Sequence, residues 1–329
     1  MNYNVVLLHN RLSETPSADE SDVLQQVGLV NEALTALGFS TVVHDIGTDL
    51  YEDIRKITRL SPAFVFNLVE TVFDKSELLS IVPSLLASFH IPYAGVKAEG
   101  LYLTTNKLLA KKRMRREGIP TPDWAMPQDE GISFAQDKKY ILKPISEEGS
   151  VGLEEEAVFS GRLPAVSGPA DAYFVEEFIE GREFNVSVIG RPGRFRVLPP
   201  AEMIFHDFPP GKERVLGYRA KWDEQSFEYT HTCRAFDTLS DEPELRQALE
   251  TYATQCGELF ELCGYFRVDF RVSKEGKPYV LEVNGNPCIS PDSGFIAAAH
   301  HAGMSSVGIV REILLSSFPP DFVPVAHLQ

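Results

Sequence analysis

Along this chain, stretches in which every second residue is apolar alternate with stretches in which every third or fourth is, and this pattern predicts most of the elements. A short apolar run at 5–8 reads as a buried strand. Val23, Leu24, Val27, Val30, Leu34 and Leu37 then recur at helical spacing, with Ser21 or Asp22 as the expected cap and Gly38 just past the end. Strands follow at 41–43 and 63–68. Strand, helix and strand in this order imply a parallel sheet. Residues 77–89 are helical in pattern, with Pro83 marking a kink or a late start. The segment His90-Ile91-Pro92-Tyr93-Ala94-Gly95 closes a first domain, 1–97.

A basic helix is expected at 106–117, capped by Thr104 or Thr105 and stopped by Gly118. Strand patterns at 140–143, 173–178 and 183–189 make 98–190 a second, small α+β domain. A connection rich in Pro and charge runs from 197 to 236. Ser240 and Pro243 then start a helix carrying Leu245, Leu249, Tyr252, Cys256, Leu259 and Phe260, ended by Gly264, within a third domain, 191–329.

Composition narrows the class. With 31 basic and 47 acidic side chains the formal charge is -16, which disfavours nucleic acid while leaving room for a local basic pocket. Cys233, Cys256, Cys263 and Cys288 form no CxxC pair, so disulfide scaffolds and zinc ribbons are poor readings. No apolar run approaches the roughly 20 residues that span a bilayer, and the start lacks a basic stretch followed by a long apolar one. A soluble, cytoplasmic protein is expected. The turn after the first strand, His9-Asn10-Arg11-Leu12, has no GxGxxG, so a dinucleotide cofactor is not supported.

The most informative stretch is 266–284. Alternation in Phe266-Arg267-Val268-Asp269-Phe270-Arg271-Val272 puts the charged residues on one strand face. After a Gly276 turn, Glu282 and Asn284 alternate in the same way, and a hairpin would gather Asp269, Glu282 and Asn284 beside Arg267. Three oxygen donors suit a hard cation such as Mg²⁺ completed by nucleotide phosphates. A solvated polar hairpin face fits the same alternation. Lys143 ends an apolar strand before a loop containing Gly149, Ser150 and Gly152, and Lys107 opens the basic helix. Together they suit phosphate binding, although each alone reads as a surface charge and no P-loop is present. In Glu176-Glu177-Phe178-Ile179-Glu180-Gly181-Arg182-Glu183 a strand ends, turns at Gly181 and restarts, offering acceptors and apolar walls to a nucleoside.

Taken in order, these motifs resemble the ATP-grasp enzymes and, within them, the D-alanine-D-alanine ligases. The resemblance runs from about Val65 to Ser306 and includes Asn106-Lys107, Ile141-Leu142-Lys143-Pro144, the Glu176 to Glu183 stretch, Lys221-Trp222, Arg267-Val268-Asp269 and Leu281-Glu282-Val283-Asn284. It implies an α/β and α+β fold: an N-terminal Rossmann-like parallel-sheet domain, a central small α+β domain and a C-terminal mixed-sheet domain. It also implies that Lys107 and Lys143 bind ATP phosphates, that Glu176 with the Phe178 and Ile179 backbone binds adenine, that Glu183 binds ribose, and that Leu281 belongs to the nucleotide site. Lys221 would reach the γ-phosphate from a lid at 203–236, mobile without nucleotide. Asp269, Glu282 and Asn284 would hold two Mg²⁺ ions, with Mn²⁺ as a substitute. Ser150 and Arg267 would act in catalysis, Arg267 on an oxyanion. Arg267, Asn286 and Ser293 would bind the acceptor.

The implied reaction is ATP-dependent: a carboxylate becomes an acyl phosphate, an amine attacks, and ADP and phosphate leave. The implied assembly is a homodimer acting on small molecules, with neither nucleic acid nor membrane. The sequence departs from the family on the donor side. The first turn is His9-Asn10-Arg11, the stretch 13–22 leaves the carboxylate for the donor ammonium unassigned, Glu148-Gly149-Ser150 replaces Gly-Ser-Ser, and Trp222 stands for Tyr. If 13–22 lacks that carboxylate, D-alanine is a poor donor. Cys288 replaces a glycine of the acceptor loop and reads as a packed loop cysteine. Alternatives are a genuine cell-wall D-alanine-D-alanine ligase, or a kinase or nucleotide-binding regulatory module on the same fold.

Overall fold

The computed structural model describes residues 3–127, 129, 134–146, 155–165 and 169–328. Its first strand, β1 (Asn4–Asn10), is covered on both faces: Val6 and Leu8 enter one core, Val5 and Leu7 another. β1 pairs in parallel with β2 (Ser40–Ile46) and β3 (Phe64–Asn67), and β3 with β4 (Tyr93–Ala94). Helix α1 (Ala18–Ala36) supplies Val23, Val27, Val30 and Leu34 to the second core; α2 (Leu50–Arg59) and α3 (Ile81–Ser88) supply Ile54, Ile57, Val82 and Leu86 to the first. The cap of α1 is Ser17 and not Ser21 or Asp22. Ser17 and Glu20 form a reciprocal capping box in which Glu20 Oε2 accepts from Ser17 N at 3.0 Å, which places Ser21 and Asp22 inside the helix. Pro83 sits in the first turn of α3, where its missing N–H costs nothing, so the late start is the outcome.

The Thr104 and Thr105 caps are also overturned. Both end a helix α4 (Ala98–Thr105), where Thr104 Oγ1 donates to Gly100 O. The basic helix α5 (Lys107–Arg116) is capped by Asn106, whose Oδ1 accepts from Leu109 N at 3.0 Å. A second sheet pairs β5 (Trp124–Ala125), β6 (Tyr140–Pro144), β7 (Val158–Phe159) and β8 (Tyr173–Glu177) in the order β5-β8-β6-β7, antiparallel throughout.

The third sheet contains β9 (Gly181–Arg191), β10 (Arg194–Val197), β11 (Ala201–Phe205), β12 (Thr232–Ala235), β13 (Gly264–Ser273) and β14 (Pro278–Asn284). Its path is β12-β11-β9-β13-β14 with β10 also on β9. Within this sheet every pairing among the described residues is antiparallel, which corrects the mixed sheet expected here; tight turns join β9 to β10 and β13 to β14 and reverse the chain each time. β9, counted with the central segment on sequence, is the middle strand of this sheet because it pairs with β13 over ten positions. The connection expected at 203–236 is a folded flap: β11 and β12 form a ribbon, and between them lie α6 (Tyr218–Trp222) and α7 (Phe227–Thr230). Helix α8 (Pro243–Leu259) packs Leu249, Ala253 and Cys256 into the core that holds Val186, Val188, Phe266 and Val268. Removing the Phe266 ring would cost about 3–5 kcal/mol. Helices α9 (Gly294–His301), α10 (Ser306–Ser317) and α11 (Val323–Ala326) complete the chain, with α10 packed on α1. Among the described residues no helix is long and apolar enough to cross a membrane.

Candidate active site

Strand register does the gathering. Asp269 lies opposite Glu282 on β14 and opposite Asn185 on β9; Arg267 faces Asn284 and Ser187; Arg271 faces Glu183. The polar face of this sheet and the second sheet bound a cleft with about 760 Å³ of empty space, its mouth included. All eight residues expected around a nucleotide line it. Lys107, Lys143 and Lys221 bring cations, Glu176 and Glu183 bring acceptors, and Phe178, Ile179 and Leu281 bring apolar wall. Ile141, packed with Phe178, and Val215 of the flap add to that wall. The Arg271 guanidinium lies 4.8 Å over the Phe178 ring and 3.3 Å from Glu183.

The cleft is electrostatically tight. Glu176 is almost wholly buried between Lys111 at 2.6 Å and Lys143 at 2.5 Å. Burial alone would raise its pKa, but the two lysines outweigh burial and hold the carboxyl below its ordinary value. Its carboxylate, held by both lysines, lines the cleft. Glu282 shows the same contest: burial pushes up, while Lys107, Lys221, Lys143 and Arg267 pull it down to about 2. Burial raises Glu183 against the pull of Arg271. Burial and the neighbouring Arg267 push the Lys221 ammonium down.

The three expected cation ligands are all oxygen donors. Asp269 accepts from Arg267 at 2.7 and 2.8 Å and from Asn185 Nδ2 at 2.8 Å, Glu282 lies 3.3 Å from Lys107, and Asn284 Oδ1 accepts from Asn286 N at 2.8 Å. Two carboxylates and an amide fit a hard divalent cation whose shell is completed from outside the protein. Among the described residues no group of three or more His, Cys, Asp or Glu could hold a metal by itself.

A second, larger cavity, about 2420 Å³ with its mouth, adjoins the cleft, and Lys221 and Leu216 line both. The expected substrate residues Arg267, Asn286 and Ser293 line it. Asn286 is committed structurally, donating to Val69 O and accepting from Tyr265 OH, and Ser293 caps α9. The wall of this cavity is acidic, carrying Glu20, Asp22, Glu70, Asp74 and Asp292. The stretch 13–22 therefore does deliver carboxylates, which removes the ground for excluding D-alanine. Cys288 is not simply packed in its loop: it lines this cavity and its thiol donates to Asp22 Oδ2 at 2.8 Å, where burial and that carboxylate push its pKa up. Trp222 lines the cavity as well.

Sequence reasoning missed Lys111, Asn185, Arg271 and the acidic residues of the larger cavity. Lys111 lies four residues after Lys107, one helical turn on the same face, and Asn185 alternates with Glu183; both spacings were available signals. Ser150 lies outside the described residues.

The family model described as D-ala D-ala ligase C-terminus matches residues 114–315. The D-alanine--D-alanine ligase of Carboxydothermus hydrogenoformans is 30% identical over 315 residues, 91% of this chain and 94% of the relative. That of Aquifex aeolicus is 28% identical over 316 residues, 94% and 99% respectively. An uncharacterized protein of Sinorhizobium fredii, y4sG, is 31% identical over 258 residues, 76% of this chain and 73% of that protein. In fold, the crystal structure of a D-alanine--D-alanine ligase from Bacillus anthracis complexed with ATP superposes with a TM-score of 0.68 at 19% identity, covering 96% of this chain and 97% of that one. The ordered site residues, the three-sheet architecture and these likenesses agree, and the chain belongs to the D-alanine-D-alanine ligase family, ATP-dependent carboxylate-amine ligases of the ATP-grasp fold.

Proposed function

We propose that this ligase joins an amino-acid donor, held by its ammonium group at the acidic wall, to an amino-acid acceptor, held by its carboxylate at Arg267 and Ser293. The observation that carries the reading is the junction of the two cavities at Lys221: a phosphoryl group bound in the cleft and a carboxylate bound in the larger cavity would meet there. Lys107 and Lys143 would bind phosphates, Phe178, Ile179 and Leu281 would flank the base, and Glu183 would accept from ribose hydroxyls. Asp269, Glu282 and Asn284 would hold Mg²⁺, which when bound neutralises charge on the transferring group. Lys221 would steady the γ-phosphate while the donor carboxylate attacks it. The resulting acyl phosphate hydrolyses in water, and the flap that carries Lys221 would exclude water from it. Arg267 would stabilise the oxyanion formed when the acceptor amine adds, a role suited to a fixed cation in a dry site.

The names of the relatives make D-alanine a candidate for both positions. The size of the cavity, the indole of Trp222 and five carboxylates where one ammonium needs one favour a larger donor. Cytoplasmic action as a homodimer, with one subdomain for each sheet, belongs to the same reading. The deciding experiment is phosphate release across a matrix of donors and acceptors with ATP and Mg²⁺, each product identified by mass. A non-D-alanine donor paired with an amino-acid acceptor is expected to give the highest kcat/KM; D-alanine ranking first in both positions would refute the larger donor and restore the cell-wall ligase.

A further inference from the structure

Outside this machinery the flap brings a thiol to an imidazole. The β11–β12 ribbon sets Ile204 opposite Cys233 and Phe205 opposite Thr232, and the pairing continues one step further, His206 N donating to His231 O at 2.8 Å. In that register His206 and Cys233 are diagonal neighbours on one face of the ribbon. His206 Nε2 lies 3.1 Å from Cys233 Sγ. The other cysteines differ in kind: Cys256 and Cys263 are buried, and Cys288 has its thiol against the Asp22 carboxylate. Cys233 is the exposed member of the four, and with Arg234 it lines the substrate cavity. A thiol needs a proton acceptor and access to become a nucleophile, and Cys233 has both.

We propose that Cys233 is a modification site, a nucleophilic thiol activated by His206 at the wall of the substrate cavity, which takes hydroperoxides and small carbon electrophiles. With a hydroperoxide, sulfur attacks one peroxide oxygen, the S–O bond forms as the O–O bond breaks, and the thiol proton passes by way of His206 Nε2 to the departing oxygen. The products are a sulfenic acid and water or an alcohol; sulfur loses two electrons and the peroxide gains them. An adduct at Cys233 occupies space in the cavity and alters the flap that carries Lys221, so oxidation would lower ligase turnover.

The test is direct labelling of the full chain, which reads out independently of any substrate. Limiting iodoacetamide in one arm, and hydrogen peroxide with dimedone in another, are followed by peptide mass mapping. Cys233 is expected to label at least about tenfold faster than Cys256, Cys263 and Cys288, and His206→Asn and His206→Gln, each checked for an unchanged melting midpoint, are expected to slow it about tenfold. Labelling of Cys233 at the wild-type rate in both variants would overturn the proposal, because exposure alone would then explain it. Labelling led by another cysteine would overturn it as well.

Discussion

Lys111 Nζ lies 2.6 Å from Glu176 Oε2 with both side chains essentially removed from solvent, at 0% and 1% exposure. Lys143 completes the arrangement at 2.5 Å from the other carboxylate oxygen, and Lys111 also donates to Thr121 Oγ1 at 2.7 Å. The charges are taken out of water only because each is met by another, so the first turns of α5 and the end of β8 are locked together beneath the cleft.

Neutralising Glu176 strands the buried charge of Lys111, whose other partner, Thr121, is neutral, whereas Glu176 without Lys111 would keep Lys143. Glu176→Gln is expected to lower unfolding free energy by about 3–5 kcal/mol, and adding Lys111→Met to recover a large part of that loss. Urea denaturation of the two single variants and the double variant measures the coupling. Additive losses would mean that the two side chains act independently.

Glu282 is expected to matter to turnover far more than to folding. Glu282→Gln keeps its size and removes one of two carboxylates from the proposed cation site, so kcat should fall at least about a hundredfold while the unliganded melting midpoint changes little. Steady-state phosphate release over a Mg²⁺ series checks this. Turnover that still responds to Mg²⁺ with near wild-type kcat would remove Glu282 from the site.

The same residue predicts part of the acid limb of stability. Its folded pKa, about 2, lies below the ordinary carboxyl value, so the unfolded state binds the proton more readily and stability rises with pH across that interval. The contribution is present above the unfolded pKa and is lost as pH falls toward 2. Unfolding free energies between pH 3 and 6 should therefore depend less steeply on pH in Glu282→Gln than in wild type, over roughly the window set by a normal Glu pKa near 4.3.

Glu20 offers a separation of binding from folding. Its carboxylate accepts from Ser17 N and Ser13 Oγ and also lines the substrate cavity. Gln serves a capping box as well as Glu does, so Glu20→Gln should keep α1 intact. Loss of the charge should raise the donor KM roughly tenfold or more and leave the acceptor KM nearly unchanged. Two-substrate kinetics decides it; equal effects on both KM values would deny Glu20 a donor-side role.

Gly181 has φ of +152°, and an added Cβ would collide with the Val272 carbonyl across the pair with β13. Gly181→Ala is expected to destabilise by about 3 kcal/mol or more and to weaken Mg²⁺-ADP binding by shifting Glu183, two residues on. Calorimetry and thermal melting together test this.

What was legible in the sequence was local or periodic. The β13–β14 hairpin followed from period-two alternation and a Gly276 turn, and with it came the grouping of Asp269, Glu282 and Asn284. Lys107 and Lys143 were marked by their positions at element ends. The rest depended on distance in sequence. A lysine as buried as Lys111 is tolerable only because Glu176 arrives from another sheet, and nothing near Lys111 announces that partner. The carboxylates of the larger cavity were hidden for the same reason: Asp22 and Glu70 take their places through Gln26 and Cys288. The α1 cap lies ahead of the point where the apolar period begins: Ser17 and Glu20 carry the capping-box spacing, but the residues from there to Asp22 are mostly polar and show no period.

The contacts that close the larger cavity join segments far apart in the chain. Cys288 reaches Asp22 across 266 positions, and Ile289 N donates to Gln26 Oε1 across 263. Links of such separation form only after the intervening chain is in place, and they slow folding. During synthesis the first parallel sheet can assemble early, and the nucleotide cleft waits for β13 and β14. The substrate cavity has to wait longest. A ribosome must have released the chain past Ile289 before the molecule can hold both of the compounds it joins, so a chain that stops short of that loop carries a nucleotide-binding surface with no place for the chemistry to go.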